Sequence, residues 1–369
     1  MKVKNNYDEC LTNLACSIRK YFELDYNHKT INYIDKLLEK ENPKNVILIL
    51  LDGMGSKILN KHLDKDSFFI KNKYKDITTV FPATTTAATT SIRTGLNPVE
   101  HGWLGWNMYI KSIDKIITLF RDREKNKNEV SNEFLSIKYK LNRNLISDEI
   151  NNKGKYKAYE LFPFENDNAI VYKDLDDMLD KTLNLSKTDE KKYIYLYNDE
   201  PDYTMHQFGN DSKEANILIK ERNDKIEEFC NKLDDSIVFI IADHGHINVD
   251  NLFLNNYPEI MNMLDRNISI EQRACSFKVK EEYKNDFEEI FNKNLGKYFD
   301  LYTKEEIINS KLFGDGKEHE LFDEALGDYI AIAENSNKCL LEEGDDILKS
   351  HHAGYTDDEV YIPLIIIKK

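Results

Sequence analysis

Short apolar runs punctuate the chain, and several end on acidic or imidazole residues. Val46-Ile47-Leu48-Ile49-Leu50-Leu51 is unbroken and stops at Asp52-Gly53, a pattern that predicts a strand buried on both faces. Ser236 to Ala242 is a second such run and stops at Asp243-His244-Gly245. A third, Tyr193 to Tyr197, leads into Asp202-Tyr203-Thr204-Met205-His206. Tyr361 to Ile367 predicts a terminal strand, with Pro363 tolerable near its start or on an edge. Between the Tyr193 and Ser236 runs, Asp211-Ser212-Lys213-Glu214 has the form of a capping box. Ile219, Ile226, Phe229, Cys230 and Leu233 then repeat at helical spacing. Strand, helix and strand therefore alternate, and a crossover of that length favours a parallel, open α/β sheet.

The pattern changes between Glu271 and Ala333. Ala274 to Val279 alternates as a short strand, and Tyr283, Phe287, Ile290, Phe291 and Leu295 form one helical stripe. Tyr329 to Ala333 reads as another strand. We take 271–333 as a small α+β insertion, a lid, within a single catalytic domain spanning 1–369. No internal repeat or low-complexity linker divides the chain.

Composition narrows the function classes. Of 369 residues, 41% are hydrophobic and 32% charged, which is globular rather than disordered. A net charge of −15 argues against a nucleic-acid duplex or an anionic membrane as partner. It leaves a phosphorylated small substrate open, because a bound dication reverses the local field. Cys10, Cys16, Cys230, Cys275 and Cys339 have no CxxC spacing and are odd in number, so reduced thiols are expected. Met1 to Glu9 contains no apolar leader core, and no apolar stretch approaches the roughly 20 residues of a membrane span. The expectation is a soluble cytoplasmic protein.

Candidate chemistry sits where the predicted strands end. Asp202 and His206 are spaced i, i+4, so both face one way on a helical turn; alone, such a pair is commonly solvent-facing. Asp243 leaves an apolar strand, where a buried carboxylate requires a cation or hydrogen-bond donors. Asp52 is placed alike, with helix capping as its alternative. Ser350-His351-His352-Ala353-Gly354 adds imidazoles before the last strand, and His351, His352 and His246 compete as ligands. With no cysteine in the set, three Asp and three His suit Zn2+, with Mn2+ or Co2+ as substitutes. Six such ligands divide into two three-ligand sites, and paired metals clamp the oxygens of a phosphoryl displacement. Pro82-Ala83-Thr84-Thr85-Thr86-Ala87-Ala88 opens a Thr-rich helix that ends at Gly95. A hydroxyl in its first turn lies at the positive end of the helix dipole, where a nearby Zn2+ activates it as a nucleophile. Capping and small-residue packing are the alternative role of these hydroxyls.

Taken in order, these segments resemble the alkaline phosphatase superfamily, and within it the nucleotide pyrophosphatase/phosphodiesterase branch. The resemblance covers Val46 to Gly105, Tyr193 to Asn210, Ile237 to His246 and His352 to Ile367. It implies a three-layer α/β/α sandwich with a mostly parallel sheet and two Zn2+ ions per chain. It further implies that Asp52, Thr85, Asp243 and His244 surround one ion, and Asp202, His206 and His352 the other. Thr85, three residues after Pro82 and ten before Gly95, takes the nucleophile's place, with Thr84 and Thr86 as flanking alternatives. One position departs: where eukaryotic-type phosphodiesterases carry an Asn that binds a phosphoryl oxygen, this chain has Ala88. Monoesterase relatives use an Arg instead, for which Arg93 and Arg273 are candidates, Arg93 fitting a packing or surface role better. Trp103, Trp106, Asn107 and Tyr203 are candidate pocket walls. The implied activity is hydrolysis of a phosphodiester or nucleotide pyrophosphate bond through a covalent phospho-threonine. A phosphomonoesterase or phosphonate hydrolase is the alternative within the class, and a metal-bound binding protein without turnover the alternative outside it. No Cys or Ser stands in a sulfatase-type Cys/Ser-x-Pro-x-Arg segment.

Overall fold

The computed structural model describes residues 4–138, 144–166 and 168–369. Residues 1–3, part of the N-terminal stretch read for a leader, lie outside the described residues. The four apolar runs become strands of one seven-stranded sheet: β1 (Asn45–Leu51), β2 (Lys73–Thr78), β3 (Lys157–Phe162), β4 (Ile170–Val171), β5 (Lys192–Asn198), β6 (Ser236–Ile241) and β7 (Tyr361–Lys368). Their order across the sheet is β2-β7-β6-β1-β5-β3-β4. β1 pairs in parallel with β5 and β6, whereas β7 runs antiparallel to both its neighbours. The β6 ladder begins only at Ile365, so Pro363 has a ladder on one side alone.

Helices cover both faces, which is why β1, β5 and β6 are buried along their whole length. Leu11–Tyr21, Asn32–Glu41, Thr85–Thr94 and Ile146–Lys153 pack together in one layer; Ser56–His62, Phe68–Asn72, Leu175–Ser186 and Lys213–Cys230 form the other. The result is a three-layer α/β/α sandwich. Its register fixes the site. Leu50 lies level with both Tyr197 and Ile241, so the chain leaves the three central strands along one edge. That edge is where open α/β sheets place their ligands.

A second, antiparallel seven-stranded sheet has the order Asp300–Thr303, Tyr329–Ile332, Ala274–Phe277, Ser269–Ile270, Asn107–Ile110, Lys115–Thr118, Arg123–Glu124. It therefore reaches beyond 271–333 and takes three strands from the segment after the Thr-rich helix. Those strands have two to four residues, too few for alternation to show in sequence. Ile330 and Ile332 face a cluster with Met108 and Ile117, while Ala331 and Ala333 face Phe277, Phe287 and Phe291. All five cysteines are buried free thiols. Among the described residues no helix is long and apolar enough to cross a membrane.

Candidate active site

Asp52 follows β1 directly, and Gly53 turns the chain at φ +72°. Glycine suits that turn, since a side chain would be strained at this φ and its Cβ would press on Asp202 Cβ at 3.0 Å and the His246 ring at 3.1 Å. Asp243 and His244 leave β6. Gly245 after them is packed so closely that a Cβ would stand 1.8 Å from the Asp358 carbonyl oxygen. Asp202 and His206 lie on the helix Asp202–Phe208, and His352 on the loop before β7. Thr85 is the first residue of the helix Thr85–Thr94, whose N-cap, Thr84, makes no side-chain cap.

These elements bring two groups of ligand atoms together. Around Thr85 Oγ1 stand both Asp52 carboxylate oxygens at 3.4 Å and His244 Nε2 at 3.2 Å. His244 Nε2 is 3.3 Å from Asp52 and 3.5 Å from Asp243 Oδ2. Such separations are long for hydrogen bonds, but they match the roughly 3.3 Å between ligands of a tetrahedral ion with bonds near 2.0–2.1 Å. Asp243 Oδ2 is buried without a hydrogen-bond partner, while Oδ1 accepts from the N–H groups of Gly53 and His244. An all O/N donor set with an orphaned buried carboxylate oxygen fits a divalent cation.

In the second group Asp202 is surrounded by imidazoles: His206 Nε2 at 3.2 Å, His246 Nε2 at 2.6 Å and His352 Nε2 at 3.9 Å. Each of these rings is oriented through its other nitrogen. His206 Nδ1 donates to the Ser350 carbonyl at 2.7 Å, His352 Nδ1 to the Ala83 carbonyl at 3.1 Å, and His246 Nδ1 meets the Ser350 hydroxyl. That aims Nε2 of all three rings at Asp202, where a cation beside the carboxylate would meet them, the arrangement outer-shell bonds give to metal-binding histidines.

Electrostatics separates the groups. Burial pushes the Asp52 carboxyl well up, with the Asp243 and Asp202 charges adding to it, and burial also raises Asp243. Burial opposes charge on His244, but Asp243 and Asp52 outweigh it and push the imidazole up to about 10. Burial likewise opposes ionisation of Asp202, yet His206 and His246 hold it well below the usual carboxylate range.

The profile of the type I phosphodiesterase / nucleotide pyrophosphatase family matches residues 46–355. This chain belongs to that family. Murine ectonucleotide pyrophosphatase/phosphodiesterase 5, in an inactive form bound to AMP, matches with a TM-score of 0.64 at 18% identity over 87% of both chains. The human counterpart matches with a TM-score of 0.64 at 17% identity over 87% of both. Phosphonoacetate hydrolase from Sinorhizobium meliloti, in complex with phosphonoformate, matches with a TM-score of 0.64 at 16% identity over 88% of this chain and 90% of its own. At these identities the likenesses show the shared fold. No curated protein sequence matches significantly. Membership makes the chain a phosphoric ester hydrolase, and the two ligand groups are its candidate metal sites.

Within this family member, other expectations resolve differently. His351 does not join either group: its Nε2 bonds Gln272 Oε1 and its Nδ1 accepts from the His352 N–H. Arg93 is buried and paired with Glu160 at 2.5 Å, so it is a packing residue rather than a surface charge or a substrate contact. Arg273 is wholly buried and bonded to Glu359 at 2.7 and 2.9 Å and to the Lys338 and Ser336 carbonyls. Its charge is consumed there, so it does not meet substrate from a lid. Asp52 caps no helix; Gly55 occupies the N-cap of Ser56–His62. Ala88 is buried in the main core. Of the proposed walls, Trp103 is buried, Trp106 half-buried, and Tyr203 62% exposed.

Three neighbours were not assigned roles from sequence. His246 was only one of several competing histidines. Tyr197 donates to Asp52 Oδ2 at 2.5 Å; its signal was the period-two series Tyr193, Tyr195, Tyr197 on one strand face. Glu271 is buried, and burial pushes its carboxyl up to about 7. Its Oε1 accepts from Thr84 Oγ1 at 2.6 Å and from the Trp106 N–H at 2.7 Å. Nothing local in the sequence marks it.

Proposed function

We propose that the chain hydrolyses phosphodiester or nucleotide pyrophosphate bonds through a covalent phospho-threonine on Thr85. The observation that carries this is the convergence of two ligand groups on a buried hydroxyl at a helix N-terminus. Asp52, Asp243 and His244, with Thr85 beside them, would hold one divalent cation, and Asp202, His206 and His352, with His246 in the same cluster, the other; zinc suits the donor set. When bound, the pair supplies charge stabilisation to both oxygens of the displacement and lowers the pKa of the attacking group.

The chain's own residues do the rest. Thr85, its hydroxyl proton lost to solvent, attacks phosphorus through Oγ1, forming the Oγ–P bond as the bond to the leaving oxygen breaks on the opposite side and that oxygen takes a proton from water. A water oxygen then bonds to phosphorus as the Oγ–P bond breaks, which releases the phosphate product and returns a proton to Thr85 Oγ1. His244 and Asp52, flanking Oγ1, fix its direction of attack. The first-turn amides of Thr85 and Thr86, uncapped by Thr84, donate to a phosphoryl oxygen in place of the side chain missing at Ala88. The AMP bound by the murine relative supports a nucleotide as substrate. A phosphonate is the second reading, supported by the phosphonoformate held by the bacterial neighbour. Trp106 stacks on Phe120, which meets Phe164 edge-on, and this half-buried aromatic row with the second sheet forms the wall that selects among leaving groups. The free thiols support a reducing compartment, the cytoplasm.

Hydrolysis of bis(p-nitrophenyl) phosphate, p-nitrophenyl phosphate and phosphonoacetate separates the readings. The diester should be cleaved fastest, and trapping with a slow diester should place the adduct on Thr85 by peptide mass spectrometry. Preference for the monoester or the phosphonate would overturn the substrate class. An adduct on Thr84 or Thr86 would overturn the nucleophile.

A further inference from the structure

The corner joining Ser269–Ile270 to Ala274–Phe277 lies against the active site without supplying a ligand. Ile270 there is a buried β-branched residue at φ +71°, a conformation such side chains adopt only when the surroundings enforce it. Gly105 leaves room for it, since a Cβ at that position would stand 2.6 Å from the Ile270 carbonyl oxygen. The next three side chains all reach out of the second sheet. Glu271 takes hydrogen bonds from Thr84 and Trp106, Gln272 meets His351 beside His352, and Arg273 forks onto Glu359. The nucleophile turn and the histidine loop are also tied to each other, the Ala353 N–H donating to the Ala83 carbonyl at 2.9 Å.

Resting on the reading of Thr85 as nucleophile, we propose that Glu271 is the positioning residue for that nucleophile. An N-cap threonine ordinarily turns its oxygen back to accept from the first-turn amides. Thr84 has the extended backbone of an N-cap, φ −138° and ψ 148°, yet caps nothing. Its hydroxyl proton goes to Glu271 instead. Two consequences follow from this one bond. The first turn is held at one rotation, with Thr85 Oγ1 between Asp52 and His244. Its amides also stay open to a phosphoryl oxygen. The strained Ile270 is what delivers the carboxylate to this place.

Three single variants and one double variant test the assignment on bis(p-nitrophenyl) phosphate. Glu271→Ala should lower kcat about tenfold or more with KM within about threefold, at the wild-type metal content. Glu271→Gln keeps an acceptor oxygen and should recover to within about threefold of wild type. Thr84→Val keeps the shape, removes the donor and should reproduce the loss; added to Glu271→Ala, it should cost nothing further. Wild-type kcat in Glu271→Ala, a Gln variant as slow as Ala, or multiplying losses would each overturn the role. Should Glu271→Ala not fold, Thr84→Val decides alone, and an unchanged kcat overturns the proposal. A Thr85→Ala protein that keeps its activity would instead remove the nucleophile reading beneath it.

Discussion

The two ligand groups stand at the same edge of the same sheet, yet they are electrostatic opposites. Asp52 and Asp243 crowd one imidazole, and Asp243 Oδ2 has no hydrogen-bond partner. Asp202, by contrast, is one carboxylate among three imidazoles, and His206 and His246 hold it ionised. Burial makes this difference consequential, because an unpaired charge away from water costs several kcal/mol. The Asp202 group neutralises itself. The Asp52 group sets two buried carboxylates against one imidazole, an excess a divalent cation would offset, and it is the one that contains Thr85. The side of the site where chemistry is proposed is thus the side the fold alone does not stabilise.

The largest expected effect tests whether that acidic group is the catalytic one. Thr85→Ala should reduce turnover by roughly 10³-fold or more while elemental analysis still finds two ions per chain, since each ion keeps three protein ligands. Full activity would transfer the attack to water and leave the contrast without catalytic meaning.

Next comes a crossed pair in protein stripped by chelator. Asp243→Asn removes one of two crowded carboxylates and puts a donor beside Asp52, so it should raise the Tm of the stripped protein by roughly 2–4 °C. Asp202→Asn removes the charge that its imidazoles oppose and should lower Tm. Shifts of the same sign would break the comparison.

The same imbalance has a pH signature. In stripped protein the folded-state pKa of His244, about 10, stands above its ordinary value near 6.5. A raised value means the folded state holds the proton more tightly than the unfolded chain. The stabilisation is therefore complete below about 6.5 and is lost as pH rises through about 10. Thermal melts of stripped protein should show Tm falling from pH 7 to 10. The metal-loaded protein should lack this fall, because a cation takes the proton's place. A flat profile in stripped protein would show that His244 is not held charged by its carboxylates.

Legibility in the sequence followed the same physics. Asp52 and Asp243 could be read as candidates because each follows a buried strand directly, where an ionised side chain needs a cation or hydrogen-bond donors, and Asp202 because of its i, i+4 spacing to His206 on the next helix. The parallel pairing could be read from run length and crossover length. The second sheet could not, because strands as short as Arg123–Glu124 and Ser269–Ile270 carry no period. Nor could Glu271 and Arg273 be told apart: both are charged residues at the start of that region, and only packing shows that one faces Thr84 and the other Glu359. The histidines were ambiguous for a related reason. Ring nitrogens become ligands or not according to what the second nitrogen bonds, and that partner is distant in sequence.

That ambiguity gives the smallest and most discriminating prediction. His352 presents Nε2 toward Asp202 with Nδ1 held by the Ala83 carbonyl, whereas both nitrogens of His351 are already engaged, one by Gln272 and one by the backbone of its neighbour. His352→Ala should therefore lower occupancy from two ions toward one and weaken the remaining binding in the Asp202 group by 10-fold or more, on the order of an outer-shell loss or larger. His351→Ala, one residue away, should leave both ions in place and cost only about 1–3 kcal/mol of stability from the unmet Gln272 acceptor. Competition with a coloured chelator measures both variants in one titration. If His351→Ala empties a site and His352→Ala does not, the ring geometry assigned to the Asp202 group is wrong. The contrast between a self-neutralised group and a cation-dependent one would then rest on Asp52 and Asp243 alone.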